Sequence, residues 1–352
     1  MQAPPWLPDL AARVDARIDG LLSAELDRWT AVDATLAAPL AALRGMLRAG
    51  GKRLRPAFCY WAYVGAGGDA DGVTWVDAAA ALELQHLSAI VHDDVIDDSP
   101  RRHGAATIHE DFACEHAAAG WRGDDRRFGQ GAAILIGNLA AAYADQLVAV
   151  AAAPVVQVLA GLRLEVNVGQ YLDLVGTAGD DVDPEGALRI CLYKSAKYTV
   201  ERPLHVGAAL MGVEALARLA APLSAFGVPL GTAFQLRDDL LDAFGDPALT
   251  GKPAGADLRE GKATYLYALA RQAATGPAAQ FLAGHYGRAG LTEGDVTRLQ
   301  AIFEETGARA GTEALIGQLL DESQAAAARL PLTGKAQGAL VDLAAYVTGR
   351  DR

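Results

Sequence analysis

The sequence is poor in cysteine and in basic residues, and both shortages limit what the protein can be. Only three cysteines, Cys59, Cys114 and Cys191, occur among 352 residues, and none belongs to a CxxC pair. Neither a disulfide framework nor a structural zinc site is predicted, and a reducing cytoplasm is the expected location. The 31 lysines and arginines are outnumbered by 43 acidic residues, giving a formal net charge of −12, which argues against a general nucleic-acid binder.

The chain also lacks a long uninterrupted hydrophobic run and a basic N-terminus. No apolar stretch reaches the roughly 18 residues that a membrane span requires. The most apolar candidate, 132–153, contains Asn138, Asp145 and Gln146, and we interpret it as a buried core helix. Proline and acidic residues within 1–20 predict that no secretory signal is present. We therefore expect neither export nor a membrane span.

Alternating β-branched runs are absent as well, whereas alanine and leucine recur at spacings of three and four. This periodicity predicts helices throughout the chain and offers no strand candidate. The predicted helices cover about 7–29, 31–49, 53–65, 74–97, 105–119, 129–151, 154–176, 184–197, 200–211, 213–242, 262–275, 278–287, 292–305, 307–329 and 334–348. Glycine- and proline-rich breakers lie between them, among them 120–131, 176–184 and 245–261.

Length alone is compatible with two domains of roughly 150 residues or with one large helical domain. No change in composition marks a boundary, and no fixed repeat is found, so we expect a single domain over 1–352. The predicted helices around 78–92 and 200–235 are apolar on most of their circumference, which is typical of helices in the middle of a bundle. Charged side chains on such helices need an explanation, because burying an unpaired carboxylate is costly.

Two copies of an Asp-Asp-x-x-Asp motif end two of these apolar helices. The six aspartates are Asp93, Asp94, Asp97, Asp238, Asp239 and Asp242. Carboxylates at this spacing lie close together on a helix and raise one another's pKa unless a cation intervenes. One such string is often surface charge, but two that each end a buried helix are more specific. Oxygen ligands in this number suit Mg²⁺, so the pair predicts two acidic walls that hold Mg²⁺ around a diphosphate.

A diphosphate site also needs fixed cations, and basic residues lie near both motifs in the sequence. The segment 51–56 (GKRLRP) is a dense basic patch, and Arg101 and Arg102 closely follow the first motif. The other candidate cations are Lys194, Lys197, Lys252 and Lys262. A lone lysine or arginine is more often a solvated surface charge. Because these lie near the acidic motifs, we expect phosphate contacts from Lys52, Arg55, Arg102 and Lys252.

Eight segments together make the chain resemble the trans-isoprenyl diphosphate synthases, the class I prenyltransferases of the polyprenyl synthetase family. They are GKRLRP (51–56), HDDVIDD (92–98), RRHG (101–104), GQYLD (169–173), KSAKYTVERPL (194–204), FQLRDDLLDAFGD (234–246), GKP (251–253) and DLREGK (257–262). The resemblance implies an all-α fold, a single large bundle of helices around a central cavity, and a homodimer. It also implies Mg²⁺-dependent condensation of an allylic diphosphate with isopentenyl diphosphate, with about three Mg²⁺ ions bound by carboxylates.

The resemblance assigns a role to each matching residue. The metal ligands would be the six aspartates of the two motifs. The allylic diphosphate would be bound by Arg102, Lys194, Gln235 and Lys252. Isopentenyl diphosphate would be bound by Lys52, Arg55 and His86, and Gln170 and Ser195 would line the reaction chamber.

The implied reaction depends on charge stabilisation and on the exclusion of water. Mg²⁺ and basic residues stabilise the leaving diphosphate, so the allylic C–O bond ionises to a delocalised carbocation. The alkene of isopentenyl diphosphate attacks that cation, and a proton is then lost, for which the released diphosphate is a candidate base. Water would quench the cation, which gives the apolar helices a function beyond stability.

Some positions depart from the family pattern. The paired arginines of the family fall at Arg102 and His103, so the second position, expected to bind isopentenyl diphosphate, holds a side chain that titrates near neutrality. Arg101 and Arg102 would supply the pair if the preceding turn were one residue tighter. In addition, Ala106 replaces a usual proline, and Ala256 a frequent second aspartate.

These departures leave two other functions open. The first is a class I terpene cyclase or atypical prenyltransferase of the same fold, which ionises a prenyl diphosphate without using isopentenyl diphosphate. The second is a non-catalytic partner subunit of a heteromeric synthase, which is disfavoured because both aspartate motifs are intact.

Two small residues bear on product length. Ser88 and Ala89 lie five and four positions before Asp93, about one helical turn deeper at roughly 1.5 Å per residue. Short-chain relatives often carry an aromatic floor there, so the resemblance implies room for geranylgeranyl diphosphate (C20) or a longer product. Alternatively, both residues are small only because two helices pack closely at this point.

Overall fold

The computed structural model describes residues 3–102, 104–179, 181–245, 255–288 and 290–349, and this part of the chain is mainly helical, as the periodicity predicts. The α-helices begin with α1 (Leu7–Thr30), α2 (Ala37–Arg48), α3 (Leu54–Gly65), α4 (Thr74–Ile96), α5 (Ile108–Ala119), α6 (Asp125–Val148) and α7 (Ala153–Gly179). Next come α8 (Pro184–Cys191), a π-helix (Leu192–Glu201), α9 (Arg202–Ala209) and α10 (Val213–Phe244). The chain continues with α11 (Ala256–Glu260), α12 (Tyr265–Ala273), α13 (Gly276–His285), α14 (Glu293–Glu305), α15 (Ala308–Ala327) and α16 (Gly334–Thr348).

Two clusters of buried apolar side chains form the core, and α10 contributes to both. The larger cluster includes Phe58, Trp75 and Phe226 and joins α1–α4 to α6, α7, α9 and α16. The smaller cluster includes Leu236 and Phe303 and joins the end of α10 to α11–α15. Helix α4 is buried around most of its circumference, which confirms the central position predicted from its apolar sequence.

A short hairpin follows α4, where the sequence analysis found no strand candidate. Arg101–Arg102 (β1) pairs antiparallel with Ala105–Ala106 (β2). The positive φ of Gly104, 82°, suits the tight reversal, because glycine has no Cβ to clash there. Residues 105 and 106 therefore belong to the hairpin, and α5 begins three residues later than predicted.

Several other elements differ from the predicted boundaries, among them α2, which begins six residues later than predicted. Helix α6 begins four residues earlier than predicted, because the Asp124 carboxylate caps it by accepting a hydrogen bond from the Arg127 backbone N–H. Helix α11 lies inside the segment predicted as a loop, between Gly255 and Gly261, which both have positive φ. A helix of five residues between two glycines is too short to show helical periodicity, so its sequence resembles that of a loop.

The π-helix covers Leu192–Glu201, where the periodicity predicts two ordinary helices separated by a break. Pro203 follows the segment, lacks an N–H, and its ring would crowd the carbonyl four residues earlier. The Arg202 backbone N–H donates instead to the carbonyl of Lys197, five residues earlier. The wider turn accommodates the proline, which then lies in the first turn of α9, where no donor is needed.

Two glycines allow neighbouring helices to approach the π-helix closely. A Cβ on Gly169 of α7 would lie 2.3 Å from the backbone nitrogen of Lys194, and one on Gly231 of α10 would lie 2.6 Å from Cα of Ala196. Neither position tolerates a larger residue without movement of backbone. The π-helix is thus held between α7 and α10 by direct backbone contact.

Within the described residues, two helices are long and apolar enough to cross a membrane by length and composition, Asp125–Val148 and Val213–Phe244. About half of each apolar window, 44% and 50% respectively, is buried inside the protein. Buried helices of a helical bundle meet the same criterion, so this observation is weak support for a membrane span.

The contact at Gly169 makes a testable prediction. Replacing Gly169 with alanine should lower the free energy of unfolding by roughly 1–3 kcal/mol, because α7 and the π-helix must separate. The matched control is Gly161→Ala on the same helix, where a Cβ meets nothing within 4 Å and alanine is the better helix former by about 1 kcal/mol. Urea unfolding of both variants measures the difference, and equal stabilities would contradict the close-contact interpretation.

Candidate active site

The first aspartate motif lies at the C-terminal end of α4, where basic side chains from other elements meet it. Arg102 on β1 places Nε 2.8 Å and Nη2 2.7 Å from Asp94 Oδ1, and Nη2 3.4 Å from Asp93 Oδ2. Gln170 of α7 donates to Asp93 Oδ1 at 2.9 Å. Arg101 instead donates to the carbonyl of Gly104, so Arg102 is the hairpin arginine that faces the aspartates.

Two lysines also balance the negative charge of this motif, and both form ion pairs with one buried aspartate. Lys194 of the π-helix lies 2.6 Å from Asp173 and 3.3 Å from Asp93. Lys262, between α11 and α12, lies 2.5 Å from Asp97 and 3.5 Å from Asp173. Asp173 on α7 is buried, so its carboxylate fixes both ammonium groups beside the motif.

The charges around the motif shift its pKa values in opposite directions. Burial alone would raise the pKa of Asp93, but Lys194, Lys262 and Arg102 hold it below its ordinary value. Burial raises the pKa of Asp94 and Asp97, and their cationic partners offset this only in part. Burial would lower the pKa of Lys194 and Lys262, but Asp173 and the nearby aspartates of the motif outweigh it and raise both pKa values. Both lysines are therefore fully charged at neutral pH.

The second aspartate motif lies at the end of α10, against α11. Gln235 donates to Asp239 Oδ1 at 2.7 Å. Asp242 accepts the backbone N–H of Asp257 at 2.8 Å with its carboxylate and that of Gly255 at 2.7 Å with its carbonyl. Asp238 is half-buried on the same helix. The backbone N–H groups of Gly255 and Asp257 thus hold the start of α11 against the end of α10.

Acidic residues concentrate around this second motif. Burial raises the pKa of Asp239 to about 7, and burial likewise raises that of Glu260 to about 7. Burial followed by the charges of Asp242, Asp239 and Glu260 raises the pKa of Asp257 well above its ordinary value. Lys262, 3.8 Å from Glu260, offsets these increases in Glu260 and Asp257 only in part, and such a concentration of carboxylates is the environment expected where a cation binds.

The basic patch at 51–56 divides into residues with separate environments. Arg53 is buried, and it is not among the residues of the patch expected to contact phosphate. Its guanidinium donates to Asp15 at 2.6 Å, to Glu83 at 2.8 Å and to the carbonyl of Leu47 at 2.9 Å. Arg53 therefore joins α1, α2, α3 and α4.

The other two basic residues of the patch, Lys52 and Arg55, differ in exposure, and Arg55 is half-buried. Lys52 is exposed, and its Nζ lies 5.9 Å from the ring centroid of Tyr346. Arg55 donates to the hydroxyl of Thr199 at 2.8 Å and stacks at 4.4 Å over the ring of Tyr198. The Nε of Arg55 is buried without a hydrogen-bond partner, so this guanidinium retains a donor.

His86 of α4 lies next to this group. Its Nδ1 is 3.4 Å from the hydroxyl of Tyr198. Burial, followed by the charges of Arg55 and Arg102, lowers the pKa of His86 well below its ordinary value. His86 is therefore neutral at physiological pH and can exchange hydrogen bonds without adding charge.

The structure brings most of the predicted residues into two neighbouring groups. One contains the aspartate motifs with Arg102, Gln170, Lys194 and Gln235; the other contains Lys52, Arg55 and His86. Ser195 and Ala89 are half-buried, and Ser88 is buried. Lys197 lies away from the motifs, paired with Glu165 and Glu201. His103 and Lys252 lie outside the described residues.

Several residues at the site were not selected from the sequence. Asp173 belongs to GQYLD (169–173), a segment that carries the family resemblance, so attention to each charged residue there could have found it. Asp257 and Glu260 could have been found in the same way, because both belong to the segment DLREGK (257–262). Lys262, in contrast, is one of the candidate cations named from the sequence. Tyr198 and Thr199 have no such signal, because only the π-helix places them beside Arg55.

The donor set suits Mg²⁺ in chemistry, since every candidate ligand is a carboxylate oxygen. In the described ranges no group of three or more histidine, cysteine, aspartate or glutamate side chains is close enough to hold a metal ion. Instead, Asp93, Asp94 and Asp97 are each engaged by a cation.

A surface cavity of about 600 Å³ lies between α2 and α5–α6. Phe112, Trp121 and Phe128 line it with alanines and one carboxylate, Glu115. None of the predicted site residues lines this cavity, and its wall has no cation to hold a diphosphate. Charge compensation therefore identifies the candidate site at the aspartates.

Comparisons with known proteins agree with this geometry. The polyprenyl synthetase family matches residues 39–303. A geranylgeranyl diphosphate synthase of Mycobacterium tuberculosis is 33% identical over 262 residues, 73% of this chain and 69% of that protein. Heptaprenyl diphosphate synthase component 2 of Geobacillus stearothermophilus is 32% identical over 317 residues, 87% and 88% of the two chains. The crystal structure of geranylgeranyl pyrophosphate synthase from Corynebacterium glutamicum, complexed with isoprenyl diphosphate and magnesium, matches with a TM-score of 0.91 and 33% identity, covering 98% of this chain and 99% of that one.

The fold is that of the all-α class I isoprenoid synthases. The chain belongs to the polyprenyl synthetase family and is a prenyltransferase, which confirms the resemblance seen in the sequence motifs. Its relatives carry the names of synthases with products of different length, so membership of the family leaves the product open.

The raised pKa of Asp239 makes a testable prediction. Its pKa is about 7 in the folded protein against an ordinary 3.8, so stability is lost as pH rises between these values. Replacing Asp239 with asparagine, which can still accept from Gln235, removes this cost. In EDTA at pH 8 the variant should be more stable, by at most about 4 kcal/mol for a shift of about three units.

Thermal unfolding between pH 5 and 8 measures this effect. The gain should shrink as the pH falls, because Asp239 of the wild type then becomes neutral. The control, Asp321→Asn on the exposed side of α15, should show no such trend. A gain for Asp239→Asn that does not vary with pH would contradict burial of an ionised carboxylate.

Proposed function

We propose that this prenyltransferase condenses an allylic diphosphate with isopentenyl diphosphate in a Mg²⁺-dependent reaction, with geranylgeranyl diphosphate as the main product. The observation that carries the proposal is the convergence of Arg102, Lys194 and Lys262 on one aspartate motif. A site that combines carboxylates for metal with cations for phosphate suits a diphosphate leaving group. The second basic group, around Arg55, provides a separate place for a second diphosphate.

In this proposal the six aspartates hold Mg²⁺, about three ions by analogy with the family and its carboxylate chemistry. Bound Mg²⁺ would supply Lewis-acid stabilisation of the departing diphosphate. A relative of the same fold is described as a complex with isoprenyl diphosphate and magnesium, which supports this cofactor.

The protein's own residues then have distinct roles. Lys194, Lys262 and Arg102, with Gln235 and Lys252, bind the allylic diphosphate and stabilise the charge that develops as the C–O bond breaks. Gln170 and Ser195 line the chamber next to the allylic carbon. The surrounding apolar helices exclude water from the carbocation.

The acceptor occupies the second basic group. Lys52 and Arg55 bind the diphosphate of isopentenyl diphosphate, with His103 as a further ligand, and neutral His86 orients it by a hydrogen bond. Arg55 supports this role because its Nε is a buried donor without a partner, which is costly unless a ligand completes it. The double bond of the acceptor attacks the allylic cation, and the released diphosphate takes the proton.

The remaining features of the proposal concern assembly and location. Exposed apolar side chains form a stripe along α7, among them Val156, Leu164, Val168, Tyr171 and Val175. Single apolar residues scattered over a surface are normal, whereas a continuous apolar stripe indicates an interaction site. This stripe suits an isologous interface, in which two copies of the chain contact each other through the same surface. We propose a cytoplasmic location, in keeping with the sequence composition and the buried faces of the two most apolar helices.

The function is tested by supplying purified protein and Mg²⁺ with dimethylallyl, geranyl, farnesyl or geranylgeranyl diphosphate, each with and without isopentenyl diphosphate. Mass spectrometry should show extension only with isopentenyl diphosphate, ending mainly at geranylgeranyl diphosphate. Replacing Lys194 with methionine should lower the rate by about 10²-fold, whereas the control Lys335→Met on α16 should not.

Each competing function gives a different result in this assay. Release of a hydrocarbon or alcohol without isopentenyl diphosphate would replace the proposal with a terpene cyclase. Activity only after a second chain is added would indicate a partner subunit, a possibility raised by the relative named as one component of a synthase. Extension beyond geranylgeranyl diphosphate would overturn the product length alone.

Product length is tested separately at Ala89. Replacing Ala89 with phenylalanine should shorten the main product by at least one isoprene unit, because the ring fills space about one turn below Asp93. The Ala89→Ser variant is the control and should leave the product unchanged. If Ala89 is small only for helix packing, the phenylalanine variant will instead lose stability and keep the same product distribution.

A further inference from the structure

A second charged network lies on the face of the π-helix that points away from the aspartate motifs. Lys197 Nζ lies 3.0 Å from Glu165 Oε1 and 3.1 Å from Glu201 Oε2. Arg202 forms a two-pronged pair with Glu165, with Nε at 2.6 Å and Nη2 at 2.5 Å. Two cations balance two anions, so the network is neutral and gains from bidentate geometry.

Neutral partners close this network on its far side. The hydroxyl of Ser224 on α10 donates to Glu201 at 2.6 Å. His205 Nδ1 lies 3.2 Å from Arg202 Nη1, and its Nε2 lies 3.1 Å from the carbonyl of Ala220. A neutral imidazole with its proton on Nε2 satisfies both contacts. The network therefore joins α7, the π-helix, α9 and α10.

The geometry of α7 connects this network to the aspartate site. Glu165, Gly169 and Asp173 follow one another at intervals of four and so lie along one side of the helix. Gly169 meets the backbone of Lys194, and Asp173 accepts from its ammonium group at 2.6 Å. Glu165 lies one turn of α7 before Gly169. It pairs with Lys197 in the next turn of the π-helix and with Arg202 directly after it.

We propose that Glu165 is a positioning residue for Lys194, acting through Lys197 and Arg202. A π-helix is intrinsically less favourable than an α-helix, so its register depends on contacts with neighbouring elements. Glu165 fixes the rotation and height of the π-helix against α7, and thereby the position of the Lys194 ammonium. This inference rests on the proposed role of Lys194 in binding the allylic diphosphate.

The first experiment compares Michaelis constants for the two substrates. Glutamine has the shape of glutamate but no charge. In Glu165→Gln, Lys197 and Arg202 would therefore face only the carboxylate of Glu201. We expect the KM for the allylic diphosphate to rise about tenfold, since small misplacements of a binding group cost one to two orders of magnitude. The KM for isopentenyl diphosphate should rise less, because Lys52 lies outside the π-helix and only Arg55 contacts it, through Tyr198 and Thr199. Simple loss of folded protein would lower kcat and leave both constants as they were.

The matched control is Glu313→Gln on α15, where the carboxylate pairs with Arg309 at the surface. It should change neither constant. A wild-type KM for the allylic diphosphate in Glu165→Gln would overturn the proposal.

The second experiment is a double-mutant cycle with Lys194→Met, read by calorimetry of inorganic diphosphate binding in the presence of Mg²⁺. Glu165→Gln should weaken binding about tenfold in the wild type but have no further effect in Lys194→Met, because coupled residues are not additive. Additive losses would overturn the proposal. If Glu165→Gln does not fold, Arg202→Lys, which keeps the charge but loses the planar fork, carries the same cycle.

This readout also separates the inference from the proposed function. If the wild type binds inorganic diphosphate but does not extend any primer with isopentenyl diphosphate, the proposed substrate pair fails. The cycle then still decides whether Glu165 acts on Lys194.

Discussion

Repulsion between carboxylates is the constraint on which the architecture around the site depends. Asp93, Asp94 and Asp97 lie at the C-terminal end of α4, where the helix dipole is already unfavourable for negative charge. No residue of α4 itself could compensate them all, so the cations come from a hairpin, a π-helix and the α11–α12 junction. The end of α4 thereby becomes the point at which distant segments of the chain meet.

A second constraint follows from the first, since the cations must be held closely enough to act. Asp173 secures Lys194 and Lys262 from α7, which requires α7 to lie directly against the π-helix. Gly169 permits that approach, and Gly231 permits a similar one from α10. The tight packing and the charge balance are therefore two aspects of one arrangement, in which backbone contact fixes the positions of charged groups.

The sequence predicted most of the helices and most of the charged residues of the site, because both have local signals. Periodicity indicates a helix such as α4, and a repeated aspartate motif is visible without any tertiary information. Arg53 shows the limit of this reasoning. It belongs to the same basic patch as Lys52 and Arg55, and nothing in the local sequence shows that it is buried against Asp15 and Glu83, partners that are distant in the chain.

The π-helix was not predicted for a related physical reason. Hydrogen bonds five residues apart leave no mark on composition, and the contribution of Pro203 to this register depends on the elements packed around it. Tyr198 and Thr199 were missed with it. The identity of single residues does not predict a backbone geometry that tertiary contacts impose. Here that geometry is the π-helix, which places Tyr198 and Thr199 beside Arg55.

The location of Ser88 and Ala89 has a consequence for how such a scaffold can diversify. Both lie on α4 about one turn from Asp93, whereas the cations that face the aspartates belong to other elements. Substitutions at these two positions alter the space beneath the motif without removing any ion pair described here. Under the product-length role proposed for these two positions, selection could act on the size of the product and on the chemistry independently, so descendants of one ancestral enzyme could diverge in chain length while their reaction stays the same.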